Sequence, residues 1–271
     1  MIKINGQIIE QNAFPDNTLL VKAPTLRGHG EWVQIVWNYE NDAELFTLIC
    51  LRKHYSNAAA SLWMPYCPHA RMDRVKDSND VFTLKYFAEV INSLNFEQVN
   101  ILDPHSSVCT ALINNVKTFS PQTYIESAIF GALGRCNFNW NTVGDELLMF
   151  YPDEGAMKRY SDMIPIPYAF GIKKRDWKTG EIKGLDVAGS VDAIKDKTIL
   201  IVDDICSRGG TFYHSAKKLK ELGAKEVYLY ITHCENTILE GELLTSGLIE
   251  KVYTTKSIFT KEHEKIEVIE R

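Results

Sequence analysis

Residues 198–204, TILIVDD, form an apolar run that ends in two adjacent aspartates, Asp203 and Asp204. ICSRGGT follows, then an amphipathic segment that stops at Gly223. A short run of Ile, Leu and Val with no polar alternation predicts a strand covered on both faces, as in a parallel sheet. Gly209 and Gly210 let the backbone approach a ligand closely. A turn of this kind at a helix N-terminus presents several N–H groups and the positive end of the helix dipole, which suits an anion. Thr211 is placed to cap the helix over 211–222 and to donate to a phosphate oxygen. Two carboxylates at a buried strand end are costly without a partner. A ribose cis-diol, or a magnesium ion bound to it, supplies one.

The rest of the chain repeats this pattern. Segments 32–37 (WVQIVW), 45–50 (LFTLIC), 60–65 (ASLWMP) and 99–103 (VNILD) read as strands, and 80–94 reads as a helix with Val81, Leu84, Phe87, Ala88 and Ile91 at helical spacing. A second series of strands follows at 146–152, 163–172, 198–204, 226–233 and 251–255. Segments 239–244 and 264–270 read as a surface helix and a terminal stretch without chemistry. Strands alternating with helices predict an α/β fold of largely parallel sheets flanked by helices. Two series predict two similar domains, 1–121 and 122–271, with a boundary in the turn-like FSPQT at 119–123. Ligands of such sheets sit at the carboxyl ends of the strands.

Composition narrows the function. Of 271 residues 45% are hydrophobic and 24% charged, and the net charge of -5 leaves no broad basic field for nucleic acid. The six cysteines form no C-x-x-C pair, which fits buried thiols in a reducing compartment. A polar N-terminal stretch and the lack of a long apolar run predict a cytoplasmic protein without a membrane span.

VDDICSRGGT resembles the phosphoribosyl-pyrophosphate (PRPP) loop shared by type I phosphoribosyltransferases and PRPP synthetases, usually close to VDDxxDTGGT. Five further segments are similar to PRPP synthetase and occur in the same order. They are FPDNT at 14–18, MPYCPHARMDR at 64–74, LDPHSS at 102–107, YPDEGAMKRY at 151–160 and AFGIKKRDW at 169–177. The resemblance implies two phosphoribosyltransferase-like domains, an ATP and adenine side in the first and the ribose-phosphate loop in the second, with the active site between them. The implied reaction moves the β,γ-diphosphate of ATP to the anomeric hydroxyl of ribose 5-phosphate, giving PRPP and AMP, with Mg²⁺ as the cofactor.

The same resemblance implies the residue roles. Phe14 and Asp16 would contact adenine from a neighbouring subunit, which requires a homodimer at least, and the family commonly forms hexamers. Arg71 and Asp73 would serve the ATP side. His105 would lie at the ATP magnesium with Asp103 supporting it, and Asp153 would serve metal and ribose. Lys173 and Arg175 would be catalytic. Asp203, Asp204, Ser207, Arg208, Gly209, Gly210 and Thr211 would bind the ribose and its phosphate. Read by residue type alone, a basic run such as 173–175 is usually a solvated turn, and a lone histidine at a strand end such as His105 is more often a structural hydrogen-bonder.

Four positions depart from the pattern. Thr18 replaces a glutamate, Met72 replaces a glutamine, and Ser207 and Arg208 replace the Asp-Thr of the ribose loop. The last exchange removes a negative charge and adds a positive one beside the expected phosphate, and arginine suits bidentate phosphate binding. A more anionic 5′ substituent would then be accepted. ADP-ribose, which has a free anomeric hydroxyl, is therefore a second acceptor. Its product would be ADP-ribose 1″-pyrophosphate, for NAD reconstruction. A phosphoribosyltransferase and an inactive regulatory relative complete the alternatives.

Overall fold

A computed structural model describes residues 1–26, 32–135, 139–175 and 182–270; the side chains at 141, 173–175 and 182–184 lie outside that description. The chain forms two compact units, Met1–Ser120 and Pro121–Arg271.

In the first unit, β1 (Ile2–Ile4) and β2 (Gln7–Ile9) make an antiparallel hairpin. The hairpin is followed by a separate two-stranded ribbon, β3 (Gln11–Ala13) and β4 (Leu19–Val21). Strand β5 (Val33–Trp37) buries Val33, Ile35 and Trp37 and exposes Gln34, the alternation of a pleated strand with one covered face. It is followed by α1 (Ala43–His54), β6 (Ala60–Trp63), α2 (Thr83–Ser93), β7 (Gln98–Leu102), α3 (Ser107–Leu112) and β8 (Val116–Phe119). The sheet order is β2-β1-β5-β6-β7-β8, with β5 to β8 parallel.

Segment 45–50 is a correction: it lies within helix α1, not in a strand. Its largely apolar run, interrupted by Thr47, fits either element. What decides is the buried set Glu44, Thr47, Leu48, Leu51 and Arg52, which has helical spacing and includes three polar residues. Glu44 is tolerated because its carboxylate accepts from the Trp37 indole Nε1 at 2.9 Å and from the Glu40 backbone N–H at 2.9 Å. The helix expected over 80–94 begins only at Thr83, so Val81 precedes it and is exposed, whereas Leu84, Phe87, Ala88 and Ile91 are buried as expected.

The second unit contains α4 (Gln122–Leu133), α5 (Trp140–Glu146), β9 (Leu147–Tyr151), α6 (Glu154–Tyr160), β10 (Tyr168–Arg175) and β11 (Ile182–Gly189). Then come β12 (Thr198–Cys206), α7 (Gly210–Glu221), β13 (Glu226–Cys234), β14 (Val252–Thr255) and β15 (Ile266–Ile269). The sheet order is β11-β10-β9-β12-β13-β14-β15, and only β11 runs antiparallel to its neighbour. All five residues of β9 are buried, as a central strand covered on both faces requires. Ile199 and Ile201 of β12 pack with Phe212, Ala216 and Leu219 of α7, and Leu200 and Val202 pack with α4 and α6 residues including Ile129 and Tyr160.

Three boundaries differ from the sequence reading. Strand β10 starts at Tyr168, five residues late, because Pro165 and Pro167 lack the N–H a ladder needs. Segment 239–244 is no helix: a short 3₁₀ turn spans Asn236–Glu240, and Leu243 and Leu244 are buried. Segment 264–270 contains β15, which pairs in parallel with β14. No helix among the described residues is long and apolar enough to cross a membrane.

Candidate active site

In the second unit, the motif at 151–160 and the loop motif meet at the carboxyl end of β12. Asp204 continues the even-numbered series of Leu200 and Val202, which faces the α4 and α6 side. There its Oδ2 lies 3.4 Å from Nη1 of Arg159, on α6, and both side chains are mostly buried. The Arg159 guanidinium also lies over the Tyr160 ring, 5.3 Å from its centroid. A charged pair in this position is held by ring and carboxylate together.

Asp203 has the opposite surroundings. Burial, the adjacent Asp204 and the more distant Asp153 push its carboxyl well above the usual carboxylate range, partly offset by the Asp204 N–H, which donates to Asp203 Oδ1 at 3.0 Å. Without a ligand, this acid therefore holds its proton tightly. Asp153 is the N-cap of α6: its Oδ1 accepts from the Ala156 N–H at 3.1 Å.

The loop that follows is shaped by close packing. Gly209 has φ 78°, in the left-handed region, and a Cβ there would stand 2.9 Å from Leu243 Cδ2. A Cβ on Gly241 would overlap the Arg208 carbonyl oxygen. The stretch around residues 241–243 thus buttresses the loop from outside. Gly210 opens α7, and a Cβ on it would meet nothing within 4 Å, so its approach is clear. Thr211 is not the cap, which corrects the sequence reading. Because Gly209 takes the left-handed turn, the helix starts one residue earlier, and Thr211 is its second residue, with its carbonyl accepting from Ser215 Oγ at 2.9 Å. Ser207 is half-buried at the end of the strand. Arg208 is largely exposed and donates from Nη2 to Glu240 Oε2 at 3.1 Å.

In the first unit, Phe14 is half-exposed at the tip of the β3–β4 turn. The Asp16 carboxylate accepts from Thr18 Oγ1 at 2.7 Å and from the Thr18 N–H at 3.0 Å, and these bonds hold it below the usual carboxylate range. Thr18, the departure from the family glutamate, is thus the residue that fixes Asp16. Asp73 is buried and is also held below that range, chiefly by the Arg74 guanidinium, whose Nε donates at 2.7 Å, with Ser106 and His105 nearby. The structure therefore brings segments 64–74 and 102–107 together at Asp73. Arg71 and Met72 are exposed, and His105 is half-buried. Asp103 is buried in the left-handed region at φ 45°, with its N–H on the Phe119 carbonyl at 3.0 Å. Lys173 and Arg175 stand in β10, where Lys173 pairs with Leu185 and Arg175 with Ile182; their side chains lie outside the described residues.

No family model matches the chain. The ribose-phosphate pyrophosphokinase of Listeria ivanovii is 28% identical over 238 residues, covering 86% of this chain and 70% of that one. That of Pyrococcus abyssi is 28% identical over 271 residues, covering 97% and 88%. The crystal structure of phosphoribosylpyrophosphate synthetase from Mycobacterium smegmatis superposes with a TM-score of 0.71 at 18% identity, over 97% of this chain and 85% of that one. The chain is a homologue of the ribose-phosphate pyrophosphokinases.

Against that relationship, the residue the sequence reading missed is Arg159. It lies inside YPDEGAMKRY, which was read only for Asp153. The signal was available: a buried aspartate at a strand end needs a cation, and Arg159 is the arginine of the helix that Asp153 caps. Among the described residues, no three His, Cys, Asp or Glu side chains form a ready metal cage. Magnesium is commonly bound by one or two carboxylates together with substrate phosphates and waters, so the oxygen donors Asp153, Asp203 and Asp204 fit it without such a cage. The imidazole of His105 is a less suitable direct donor for so hard an ion.

Proposed function

We propose that this chain is a diphosphokinase that transfers the β,γ-diphosphate of ATP to the anomeric hydroxyl of ribose 5-phosphate. The observation that carries the reading is the crowding of Asp203 and Asp204 beside a glycine loop at the start of α7. Burial and the neighbouring Asp204 make Asp203 a poor free anion, and the two carboxyls together are good acceptors for a diol or a metal-bound sugar. The loop N–H groups and the helix N-terminus supply the anion site for the 5-phosphate.

In the reaction, the anomeric oxygen forms a bond to the β-phosphorus, and the bond from that phosphorus to the oxygen bridging the α-phosphate breaks. AMP leaves, and the hydroxyl proton passes to solvent. Asp203 and Asp204 hold the ribose so that the anomeric oxygen lies in line. Arg159 pairs with Asp204 and holds it in place. Lys173 and Arg175 offset the charge that grows on the diphosphate and the leaving group. Phe14, Asp16, Arg71, Asp73 and His105 serve ATP, and a homo-oligomer brings Phe14 and Asp16 to a neighbouring subunit's nucleotide. Asp153, Asp203 and Asp204 would hold magnesium, which would supply neutralisation of the phosphate charge.

A specific observation favours ADP-ribose as a second acceptor. Arg208 is exposed beside the loop and is tied to the surface carboxylate of Glu240, a contact worth about 0–1 kcal/mol. It can exchange Glu240 for an added phosphate at little cost. The test is to incubate the protein with Mg²⁺, ATP and either acceptor and to follow AMP and products by mass spectrometry. AMP with PRPP or with ADP-ribose 1″-pyrophosphate supports the reading, and no acceptor-dependent AMP refutes it. In the same assay Arg208→Thr should lower the ADP-ribose rate about tenfold more than the ribose 5-phosphate rate. Equal losses would remove the argument for the second acceptor.

A further inference from the structure

An open pocket of about 240 Å³ adjoins the phosphate loop, lined by Arg208, Gly210, Tyr213, His214, Glu242 and Leu243. We infer that this pocket is a subsite for the nucleoside end of an acceptor whose 5-phosphate carries a further nucleotide. The inference rests on the diphosphokinase reading of the loop and names where a longer acceptor would be held.

Four observations carry it. Two lining residues, Arg208 and Gly210, belong to the phosphate loop itself, so a group attached to a phosphate in that loop enters the pocket without a spacer. The pocket is fixed relative to the loop, because Gly241 packs on the Arg208 carbonyl and Leu243 on Gly209. Tyr213 and His214 stand edge-on, with ring centroids 5.4 Å apart at 81°, and offer flat apolar surface to a heterocycle. The volume is smaller than the roughly 300–1,000 Å³ that encloses a whole drug-sized ligand, so it suits a base with part of its sugar, the phosphates staying on the loop.

The charges agree with that division. Arg208, which belongs to the loop and lines the pocket, already donates to the Glu240 carboxylate and could donate in the same way to a second phosphate. Glu242 lines the pocket, where a carboxylate would repel a phosphate but accept the hydroxyls of a second ribose. A bare 5-phosphate reaches none of the aromatic wall, so ribose 5-phosphate gains nothing from it.

The test compares wild type with a Tyr213→Ala/His214→Ala double variant and with Glu242→Trp, which narrows the pocket from an exposed position. For each, kcat/KM is measured with ADP-ribose and with ribose 5-phosphate, and ADP-ribose binding is measured by calorimetry in the absence of ATP. The ratio of the ADP-ribose to the ribose 5-phosphate value should fall about tenfold in both variants, and the calorimetric affinity for ADP-ribose should fall in step. An unchanged ratio, or equal losses on both acceptors, overturns the subsite. If neither acceptor yields AMP, the diphosphokinase reading fails by itself. Calorimetry then still decides the pocket: weaker ADP-ribose binding in both variants upholds it, and unaltered binding or none in wild type removes it.

Discussion

Two buried or half-buried acids, one in each unit, show how the same side chain is prepared for different partners. Asp73 in the first unit sits against Arg74, and the guanidinium holds its carboxyl below the usual range. Asp203 in the second unit sits against Asp204 with Asp153 beyond, and burial with like charge pushes its carboxyl up. The first is a settled ion pair that ties two segments together. The second is an unsettled acid that improves when a cation or a diol arrives. Under the proposed reaction, which must bind a sugar and give it up again, the second arrangement belongs to the changing site.

The sharpest way to break this comparison is to neutralise Asp203. Asp203→Asn should lower turnover by at least about a hundredfold, read as acceptor-dependent AMP release, yet raise the melting temperature of the ligand-free protein near neutral pH. A fall in both activity and melting temperature would make Asp203 a structural residue. Next in size is the buttress. Gly241→Ala places a methyl on the Arg208 carbonyl and should cost about 1–3 kcal/mol in denaturant unfolding, with weaker acceptor binding.

A smaller effect separates cap from ligand at Asp153. Asp153→Ala should lose about 1 kcal/mol of stability as well as activity, whereas Asp153→Asn keeps the cap and should lose activity alone. Equal stability losses would show that the charge, not the cap, matters to the fold.

The smallest effect is on the pH profile of the ligand-free protein. Asp203 binds its proton more tightly folded than unfolded. Its contribution is complete below the unfolded value of about 3.9 and is lost as pH rises through the raised folded value. Asp73 behaves oppositely, contributing fully above about 3.9 and losing that contribution as pH falls through its lowered value. Unfolding curves across pH should therefore lose their alkaline-side decline in Asp203→Asn and their acid-side decline in Asp73→Asn.

Much of this was legible in the sequence, for identifiable reasons. Strand β12 and helix α7 could be read because an apolar run, two acids and a Gly-Gly turn are each specific. Segment 45–50 misled because six residues without polar alternation carry no period. For Arg159 the sequence signalled only that a buried aspartate needs a cation; its pairing with Asp204 joins residues 45 apart and depends on the packing of α6 on the sheet. The buttress of Gly241 on Arg208 is equally remote from local pattern, as it depends on a turn that read as a helix.

The most direct test of the central claim follows the phosphates of ATP. With ATP labelled separately at the α, β and γ phosphorus, the protein, Mg²⁺ and acceptor are mixed and the products separated. Diphosphoryl transfer predicts that β and γ labels move together onto the acceptor in equal amount, while the α label remains in AMP. Transfer of the γ label alone, with ADP as the nucleotide product, would contradict the account.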